Sequence, residues 1–309
     1  MLQTYDERNR DLIVNIDGTL VHRDEAGVSP FDSTVQNGDG VWEGLRLYDG
    51  RIFRLSDHLA RLRHSALALA YEGIPDEAEI RRELARTLDA NGMQDGVHVR
   101  LTLSRGRKYT SGLDPRINTA GTTLIIIAEY KSPVYDKSGL RLITAAHRRP
   151  PADVLDQKIH SCNQLTSILA KLEANAAGAD DALMLDTRGF VAETNATHVF
   201  LVAGGVVETP TTAACPEGIT RRVVLELCAE HAIPARERDL TLAEVYRADE
   251  LFCTGTMGEL APVTEVDGRM IGTGGVGRLT RRLSCLFGQR TKAEGEQILA
   301  PDEPAQEVR

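Results

Sequence analysis

The chain has 309 residues, of which 42% are hydrophobic and 26% charged, a composition typical of a globular protein long enough for two domains. Its 45 acidic and 36 basic residues give a net charge of -9, which argues against nucleic acid as the main partner. Five cysteines without a CxxC pair predict reduced thiols in a cytoplasmic protein. Because the N-terminus is polar, no signal peptide is predicted. Because no apolar run is long enough, no membrane span is predicted.

The first part of the chain predicts hairpins followed by helices. Asp17-Gly18 and Asp49-Gly50 are turn sequences between short apolar strands. Two amphipathic helices are expected next, the second capped by Asp76. Alternating and continuous apolar residues then predict strands over Val97–Leu103 and Thr123–Glu129.

A polar segment broken by Pro and Gly, residues 131–139, predicts a linker to a second domain. After a strand at Leu140–Ala145, a helix from Asn163 to Ala177 is expected to bury its apolar residues, which are Leu165, Ile168, Leu169 and Leu172. Further strands and helices are predicted at Asp181–Asp186, Phe190–Glu193, His198–Val202, Val206–Thr209, Ile219–His231, Glu250–Thr254 and Gly277–Phe287. Hairpin turns are also expected at Gly204-Gly205 and Asp267-Gly268.

The predicted domains are therefore a small N-terminal domain at residues 1–130 and a larger C-terminal domain at 140–290. The polar tail at 291–309 is expected to be disordered. Because hairpins and helices are mixed in both halves, the predicted fold class is α+β with two domains rather than a doubly wound parallel sheet.

A lysine lies in the loop before the helix that begins at Asn163. In the segment Asp156–Asn163, the amine of Lys158 can form a Schiff base with an aldehyde cofactor. Taken alone, a solvated surface lysine is the commoner interpretation.

Glu193 ends an apolar strand, where a carboxylate is costly unless it is paired. A pyridinium N–H is one such partner, and the pairing would keep the ring protonated as an electron sink. The alternative is a strand-end carboxylate that reaches solvent or an arginine.

Two segments are candidates for holding a phosphate. Glu217–Arg221 opens a helix, so the backbone N–H groups of Ile219 and Thr220 can contact an anion. Thr254–Glu259 follows a strand and offers two hydroxyls and two glycines. Either segment alone is a common helix cap or turn.

In their order and spacing, these motifs resemble the fold-type-IV enzymes that depend on pyridoxal 5'-phosphate (PLP). This class IV family includes D-amino-acid and branched-chain aminotransferases and aminodeoxychorismate lyases. The resemblance runs over nearly the whole chain and is carried by the segments Val41–Tyr48, Phe53–Leu62, Leu169–Ala174, Gly189–Thr194, Pro216–Arg221 and Thr254–Val263. It implies the two-domain α+β fold of D-amino-acid aminotransferase, with PLP as the cofactor.

Residue by residue, the resemblance implies that Lys158 is the Schiff-base lysine and proton carrier and that Glu193 pairs with the pyridine nitrogen. The residues implied for the phosphate are Arg61, Ile219, Thr220, Thr256 and Met257. An arginine suits phosphate because its planar fork donates two hydrogen bonds.

For the substrate, the resemblance implies that Arg100 or Arg105 holds a carboxylate. A solvated, arginine-rich loop is an equal alternative for both residues. Trp42, the only tryptophan, either lines the substrate pocket or anchors the core.

Two positions depart from the family pattern. Lys158 lies five residues before Asn163, whereas the family spacing is three or four, and His160 occupies the slot of the shorter spacing. We favour Lys158 as the lysine and leave its replacement by His160 as the alternative. Gln164 stands where branched-chain enzymes carry a tyrosine that contacts the cofactor's phenolic oxygen.

The resemblance implies ping-pong transfer of an amino group between an amino acid, either a branched-chain L- or a D-amino acid, and a 2-oxo acid. The alternatives are a lyase of the aminodeoxychorismate type and a catalytically altered or PLP-free relative. We expect a homodimer with small-molecule substrates, and no metal site is predicted.

Overall fold

The computed structural model describes residues 4–299 and divides into two compact units. The N-terminal unit contains residues 5–66, 70–132 and 291–299, and the C-terminal unit contains residues 4, 67–69 and 133–290. Each unit combines one sheet with helices, so the predicted α+β class is confirmed. The predicted domain limits stay predictions, because a compact unit is not thereby shown to fold alone.

The strands and helices follow one another along the whole described chain. The strands are β1 (Ile13–Ile16), β2 (Thr19–His22), β3 (Gly40–Tyr48), β4 (Arg51–Ile52), β5 (Val97–Ser104), β6 (Thr123–Tyr130), β7 (Leu140–Thr144), β8 (Asp181–Leu185), β9 (Val191–Thr194), β10 (His198–Ala203), β11 (Val206–Thr209), β12 (Ala235–Glu237), β13 (Glu250–Gly255), β14 (Glu259–Val266), β15 (Arg269–Met270) and β16 (Glu296–Gln297). The α-helices are α1 (Ser33–Asn37), α2 (Leu55–Ala68), α3 (Glu77–Ala90), α4 (Ala152–Leu155), α5 (Leu165–Ala176), α6 (Ile219–Glu230), α7 (Leu242–Tyr246) and α8 (Arg278–Ala293).

Four predicted hairpin turns are confirmed, and all have two consecutive residues of positive φ. Asp17 and Gly18, between β1 and β2, have φ of 49° and 76°, as a type I′ turn requires. The same holds for Asp49-Gly50, Gly204-Gly205 and Asp267-Gly268. Asp and Gly tolerate this backbone region, which is why these turns are readable in the sequence.

The N-terminal unit is built on a seven-stranded sheet of antiparallel pairs in the order β16-β4-β3-β5-β6-β1-β2. Helix α3 packs against β1 and β6. Successive side chains of a strand point to opposite faces, and on β3 the side chains of Val41, Glu43 and Leu45 are fully buried. Trp42 and Arg46 therefore share the other face of the sheet.

The C-terminal unit contains a nine-stranded mixed sheet. Its main order is β12-β11-β10-β13-β14-β7-β8-β9, with β15 paired to β14. The pairs of β7 with β14 and with β8 are parallel, and so is the pair of β11 with β12. Helix α5 packs on β7 and β8, and α6 on β12 and β13. This sheet positions the ends of β9, β10 and β13 for the site described below.

Helix α5 confirms the predicted element but not its buried face. The four residues expected in the core, Leu165, Ile168, Leu169 and Leu172, are 71%, 51%, 41% and 56% exposed. The buried face instead carries small residues, among them Ala170 and Ala174, which cluster with Ala182 and Met184 of β8. Small side chains let the helix approach the sheet closely, so the larger residues face outward.

The predicted disordered tail is wrong for residues 291–299. Helix α8 continues to Ala293, and β16 pairs antiparallel with β4. Glu296 accepts a hydrogen bond from the backbone N–H of Ser56 and forms an ion pair with Arg81. These contacts order a segment whose polarity alone suggested disorder. Residues 300–309 lie outside the described residues.

Part of the predicted linker, residues 131–139, is an integral segment of the C-terminal unit. The hydroxyl of Tyr135 donates a 2.6 Å hydrogen bond to Asp181, and Nζ of Lys137 donates to the Gly258 carbonyl at 2.7 Å. The polar character of this segment thus serves specific contacts to the sheet.

Across residues 4–299, no helix has both the length and the apolar character that a membrane crossing requires.

Candidate active site

The centre of the candidate site is Glu193, which lies near the end of β9 and is 4% exposed. Its Oε1 atom is 2.9 Å from Nη2 of Arg149, a side chain that is itself buried. The arginine also donates to the Thr194 carbonyl at 2.9 Å and to the Ser167 hydroxyl at 3.2 Å. A carboxylate this deeply buried is stable as an anion only with such a partner.

His198 and Cys215 complete a buried group around Glu193. Nδ1 of His198 lies 3.7 Å from Oε2 of Glu193. One potential ligand atom from each of the three side chains lies within 4.8 Å of the other two. Burial, and then the nearby Glu193 carboxylate, raises the pKa of the Cys215 thiol well above its usual value. A protonated thiol and an arginine-bound carboxylate are poor metal ligands, so we assign no metal here.

The N-terminus of α6 lies beside this group. Gly218 is the N-cap and provides no side-chain cap, and Ile219 and Thr220 are both buried. A Cβ atom on Gly218 would lie 2.2 Å from the His198 ring. A helix N-terminus of this kind offers backbone N–H groups and a partial positive charge to an anion.

The second segment predicted to hold phosphate, Thr254–Glu259, packs against the segment that contains Tyr135. The Val134 N–H donates to the Met257 carbonyl at 3.2 Å. A Cβ atom on Gly258 would lie 2.2 Å from Cδ2 of Tyr135, so the ring packs directly on this loop. Thr256 and Met257 are half-buried.

The predicted lysine lies on the loop between α4 and α5. The side chain of Lys158 is 53% exposed, and its Nζ is 3.6 Å from Oε1 of Glu217, next to the α6 N-terminus. His160 is partly buried. Gln164 donates to the Ser161 carbonyl at 2.8 Å, so its amide nitrogen is already engaged within the loop.

Arg61 belongs to the N-terminal unit, and its guanidinium forms a bidentate ion pair with Glu43. Nε and Nη2 of Arg61 donate to the two carboxylate oxygens of Glu43, both at 2.7 Å. Nδ1 of His58 lies 2.6 Å from Oε2 of the same carboxylate, which is 0% exposed. Glu43 lies in the matched segment Val41–Tyr48, but no role was predicted for it from the sequence.

A group of basic side chains shares one face of β3 and β5. Arg46 is 5% exposed, and its Nε and Nη1 atoms have no hydrogen-bond partner among the described residues. Nε2 of the buried His98 is likewise unsatisfied there. Burial, and then the charges of Lys131, Arg46 and Arg100, lowers the pKa of His98 to about 3, so the ring is neutral near pH 7. Buried donors without acceptors are costly, and an anion would satisfy them.

Of the two arginines predicted to bind substrate, Arg100 lies on this face of β5, whereas Arg105 follows the end of the strand. The guanidinium of Arg100 stacks over the Trp42 ring at 3.6 Å from its centre. Arg105, in contrast, donates from Nε to Asp39 at 2.6 Å and stacks over Tyr71 at 4.5 Å. Arg105 is thus held by a carboxylate of this chain.

The sequence matches known proteins over most of its length. The family model "Amino-transferase class IV" matches residues 40–266. The chain therefore belongs to the class IV aminotransferase family, which confirms the family that the sequence predicts.

Individual relatives agree with that assignment. The putative branched-chain-amino-acid aminotransferase of Methanocaldococcus jannaschii is 41% identical over 275 residues, covering 89% of this chain and 94% of that protein. The branched-chain-amino-acid aminotransferase-like protein 2 of Arabidopsis thaliana is 50% identical over 291 residues, covering 94% of this chain. The chain spans about half the length of that plant protein, 52%.

A solved structure shares the fold. The branched-chain amino acid aminotransferase from Thermobaculum terrenum, in its PLP-form, superimposes with a TM-score of 0.82 at 26% identity. The match covers 92% of this chain and 94% of that one. The two-domain fold expected from the sequence is therefore confirmed.

Several residues of the site were not predicted, among them Arg149, His198, Arg46 and His98. The sequence left open an arginine as partner of Glu193, and Arg149 stands in the Arg148-Arg149-Pro150-Pro151 loop. Arg46 and His98 occur on the same strand face as Arg100, which alternation along β3 and β5 would have revealed. Nothing in the sequence marked His198, although Glu193 lies only five residues before it, because its contact with Gly218 joins segments twenty residues apart.

Proposed function

We propose that the protein is a PLP-dependent aminotransferase that moves an amino group between a branched-chain amino acid and a 2-oxo acid. The observation that carries the proposal is the buried, arginine-paired Glu193 beside the uncapped N-terminus of α6. The branched-chain names of the relatives and the PLP-form of the Thermobaculum terrenum enzyme support the substrate class and the cofactor. They do not favour the lyase or the PLP-free alternative.

The residues present fit PLP. Glu193 would accept a hydrogen bond from the pyridine nitrogen, since Arg149 keeps this carboxylate ionised. The N–H groups of Ile219 and Thr220, at the α6 N-terminus that no side chain caps, would bind the phosphate. Thr256, Met257 and Arg61 are proposed as further phosphate contacts. When bound, PLP supplies a ring that delocalises the electron pair left on the substrate α-carbon.

Lys158 is proposed as the lysine that binds the cofactor covalently and, as a neutral amine, moves the proton from the substrate α-carbon. Its loop adjoins the α6 N-terminus, as the contact with Glu217 indicates. The competing candidate position is His160, whose imidazole can carry a proton but cannot replace an amine in the covalent link.

The substrate carboxylate is proposed to bind the basic face of β3 and β5. Arg46 supplies two buried nitrogen donors and His98 a buried ring nitrogen, none with a hydrogen-bond partner among residues 4–299, and Arg100 is held beside them by its stacking on Trp42. Arg105 is less well supported for this role because Asp39 already accepts its hydrogen bonds. A 2-oxo acid and an amino acid share this carboxylate, so one site serves both half-reactions.

A homodimer in the cytoplasm is part of the proposal. The exposed residues Leu165, Ile168, Leu169 and Leu172 recur at helical spacing along α5 and form one apolar stripe. A second copy of the chain would cover this stripe, since contiguous exposed apolar surface marks an interface. The five cysteines form no disulfide in the described part of the chain, which agrees with a reducing compartment.

The test is the absorbance spectrum of the purified protein after PLP is added, before and after borohydride reduction. Wild type should show a visible band that borohydride removes and should transfer amino groups in a 2-oxo-acid-dependent assay. Lys158→Ala should lack the reducible band, whereas His160→Ala, the matched loop control, should keep it. A reducible band in Lys158→Ala would show the lysine assignment to be wrong. Wild type without any PLP-dependent band would contradict the proposed function itself.

A further inference from the structure

His198, at the start of β10, is the point where three parts of the proposed cofactor site meet. The residue is 8% exposed, and its Nδ1 lies 3.7 Å from Oε2 of Glu193. Its ring also adjoins Gly218, the N-cap of α6. Along the sheet, His198 pairs with Thr254, which leads directly into the second phosphate segment. No other part of the proposed mechanism uses this imidazole.

The contact with Gly218 explains why a glycine stands at the helix N-cap. Gly218 has φ of -66° and ψ of 127°, a backbone conformation that any residue adopts without strain. A Cβ atom there would lie 2.2 Å from both Cδ2 and Nε2 of His198. The glycine is therefore required by the imidazole and not by the backbone. The ring and the helix N-terminus fix each other's position.

We infer that His198 is a positioning residue that couples the two ends of the bound cofactor. One edge of the imidazole faces the carboxylate proposed for the pyridine nitrogen, and the other edge faces the helix N-terminus proposed for the phosphate. A displacement of the ring moves both at once. The inference rests on the proposed function, because it concerns the binding of PLP.

The closing experiment measures the dissociation constant of PLP and the pH profile of the bound cofactor's absorbance for the full chain. His198→Phe keeps the ring volume and removes both nitrogens, His198→Asn keeps a polar group of shorter reach, and Gly218→Ala pushes on the ring. Cys228→Ala, at a buried cysteine of α6 outside this group, is the control. Thermal unfolding of each PLP-free protein identifies variants that fail to fold.

We expect His198→Phe and Gly218→Ala each to weaken PLP binding by about tenfold, the lower end of the effect seen when residues that orient a ligand-binding group are replaced. Both should also shift the pH profile of the absorbance, and Cys228→Ala should change neither quantity. His198→Asn should restore part of the affinity lost in His198→Phe. If His198→Phe does not fold, the PLP affinity and the pH profile of Gly218→Ala and His198→Asn test the inference in its place.

Two results would overturn the inference. Wild-type affinity and pH profile in the folded variants overturn it alone, since PLP binding then does not depend on His198. A wild-type protein that binds no PLP overturns the proposed function and the inference together, so the two failures are distinguishable.

Discussion

Nη2 of Arg149 lies 2.9 Å from Oε1 of Glu193, and both side chains are buried. The pair joins the loop after β7 to β9, so two segments distant along the chain are held by one charge contact. The positive charge of the arginine favours the ionised form of the carboxylate, which is the form that accepts a hydrogen bond.

Arg149→Met is expected to destabilise the PLP-free protein by about 3–5 kcal/mol, because it leaves the Glu193 carboxylate buried without its partner. The measurement is urea unfolding near neutral pH. Adding Glu193→Gln to that variant removes the uncompensated charge and should recover part of the loss. Arg116→Met, which breaks an exposed ion pair with Asp114, is the control and should change little. Arg149→Met with wild-type stability would mean that water or another group neutralises Glu193.

Experiment can distinguish two roles of Arg61, which are binding the cofactor phosphate and holding Glu43. Its fork is engaged with Glu43, yet the family resemblance assigns it to the phosphate. If Arg61 binds phosphate, Arg61→Met should weaken PLP by about tenfold, the effect of one hydrogen bond to a charged group, and pyridoxal much less. The dissociation constants of PLP and pyridoxal measure this directly. Equal losses for both ligands would restrict Arg61 to holding Glu43 and His58.

Arg46→Met should change stability and substrate binding in opposite directions. Two nitrogens of the buried guanidinium lack partners in the described chain, so removing the charge should leave the protein as stable or more stable. The KM for the 2-oxo acid should rise by about tenfold through loss of a charged hydrogen bond. Arg105→Met, which loses its contacts with Asp39, should instead lower stability and leave KM unchanged. A KM that rises only in Arg105→Met would show that Arg105, and not Arg46, binds the substrate carboxylate.

Much of the architecture was predictable because it depends on local chemistry. The Asp-Gly and Gly-Gly turns need positive φ at both central residues, and few other residue pairs tolerate that. The strands and helices follow the periodicity of apolar residues, and their predicted bounds agree with the structure to within a few residues, as for α6 and β11.

The remaining features depend on contacts that a sequence does not list. The large apolar residues of α5 were expected in the core because apolar side chains are usually buried. That rule does not say which of two faces of the helix packs against the sheet. Residues 291–299 are ordered because Glu296 contacts Arg81 and Ser56, which lie far away along the chain. Glu193 was found from its place at the end of a strand, whereas its partners Arg149 and His198 become visible only in three dimensions.

The low pKa of His98 predicts how the stability of the protein depends on pH. The folded value of about 3 lies below the ordinary value of 6.5, so the unfolded chain binds the proton more readily. The contribution of His98 is therefore complete above about pH 6.5 and declines as the pH falls toward 3, at up to about 1.4 kcal/mol per pH unit. Thermal unfolding across this range should show a shallower decline for His98→Gln. A variant that follows the wild-type slope would mean that His98 is protonated without unfolding.

The apolar stripe on α5 predicts the behaviour of the protein in solution. If a second copy covers Leu165, Ile168, Leu169 and Leu172, wild type should be a dimer at micromolar concentration. Ile168→Glu or Leu172→Glu should produce monomers, because an unpaired carboxylate at the centre of an interface is strongly unfavourable. Analytical ultracentrifugation distinguishes the two states.

Leu113→Glu is the matched control, since Leu113 is 84% exposed outside this stripe, and it should leave the dimer intact. A monomeric wild type would contradict the proposed homodimer. Dimers that persist in both α5 variants would show that the subunits meet elsewhere and that the stripe has another partner.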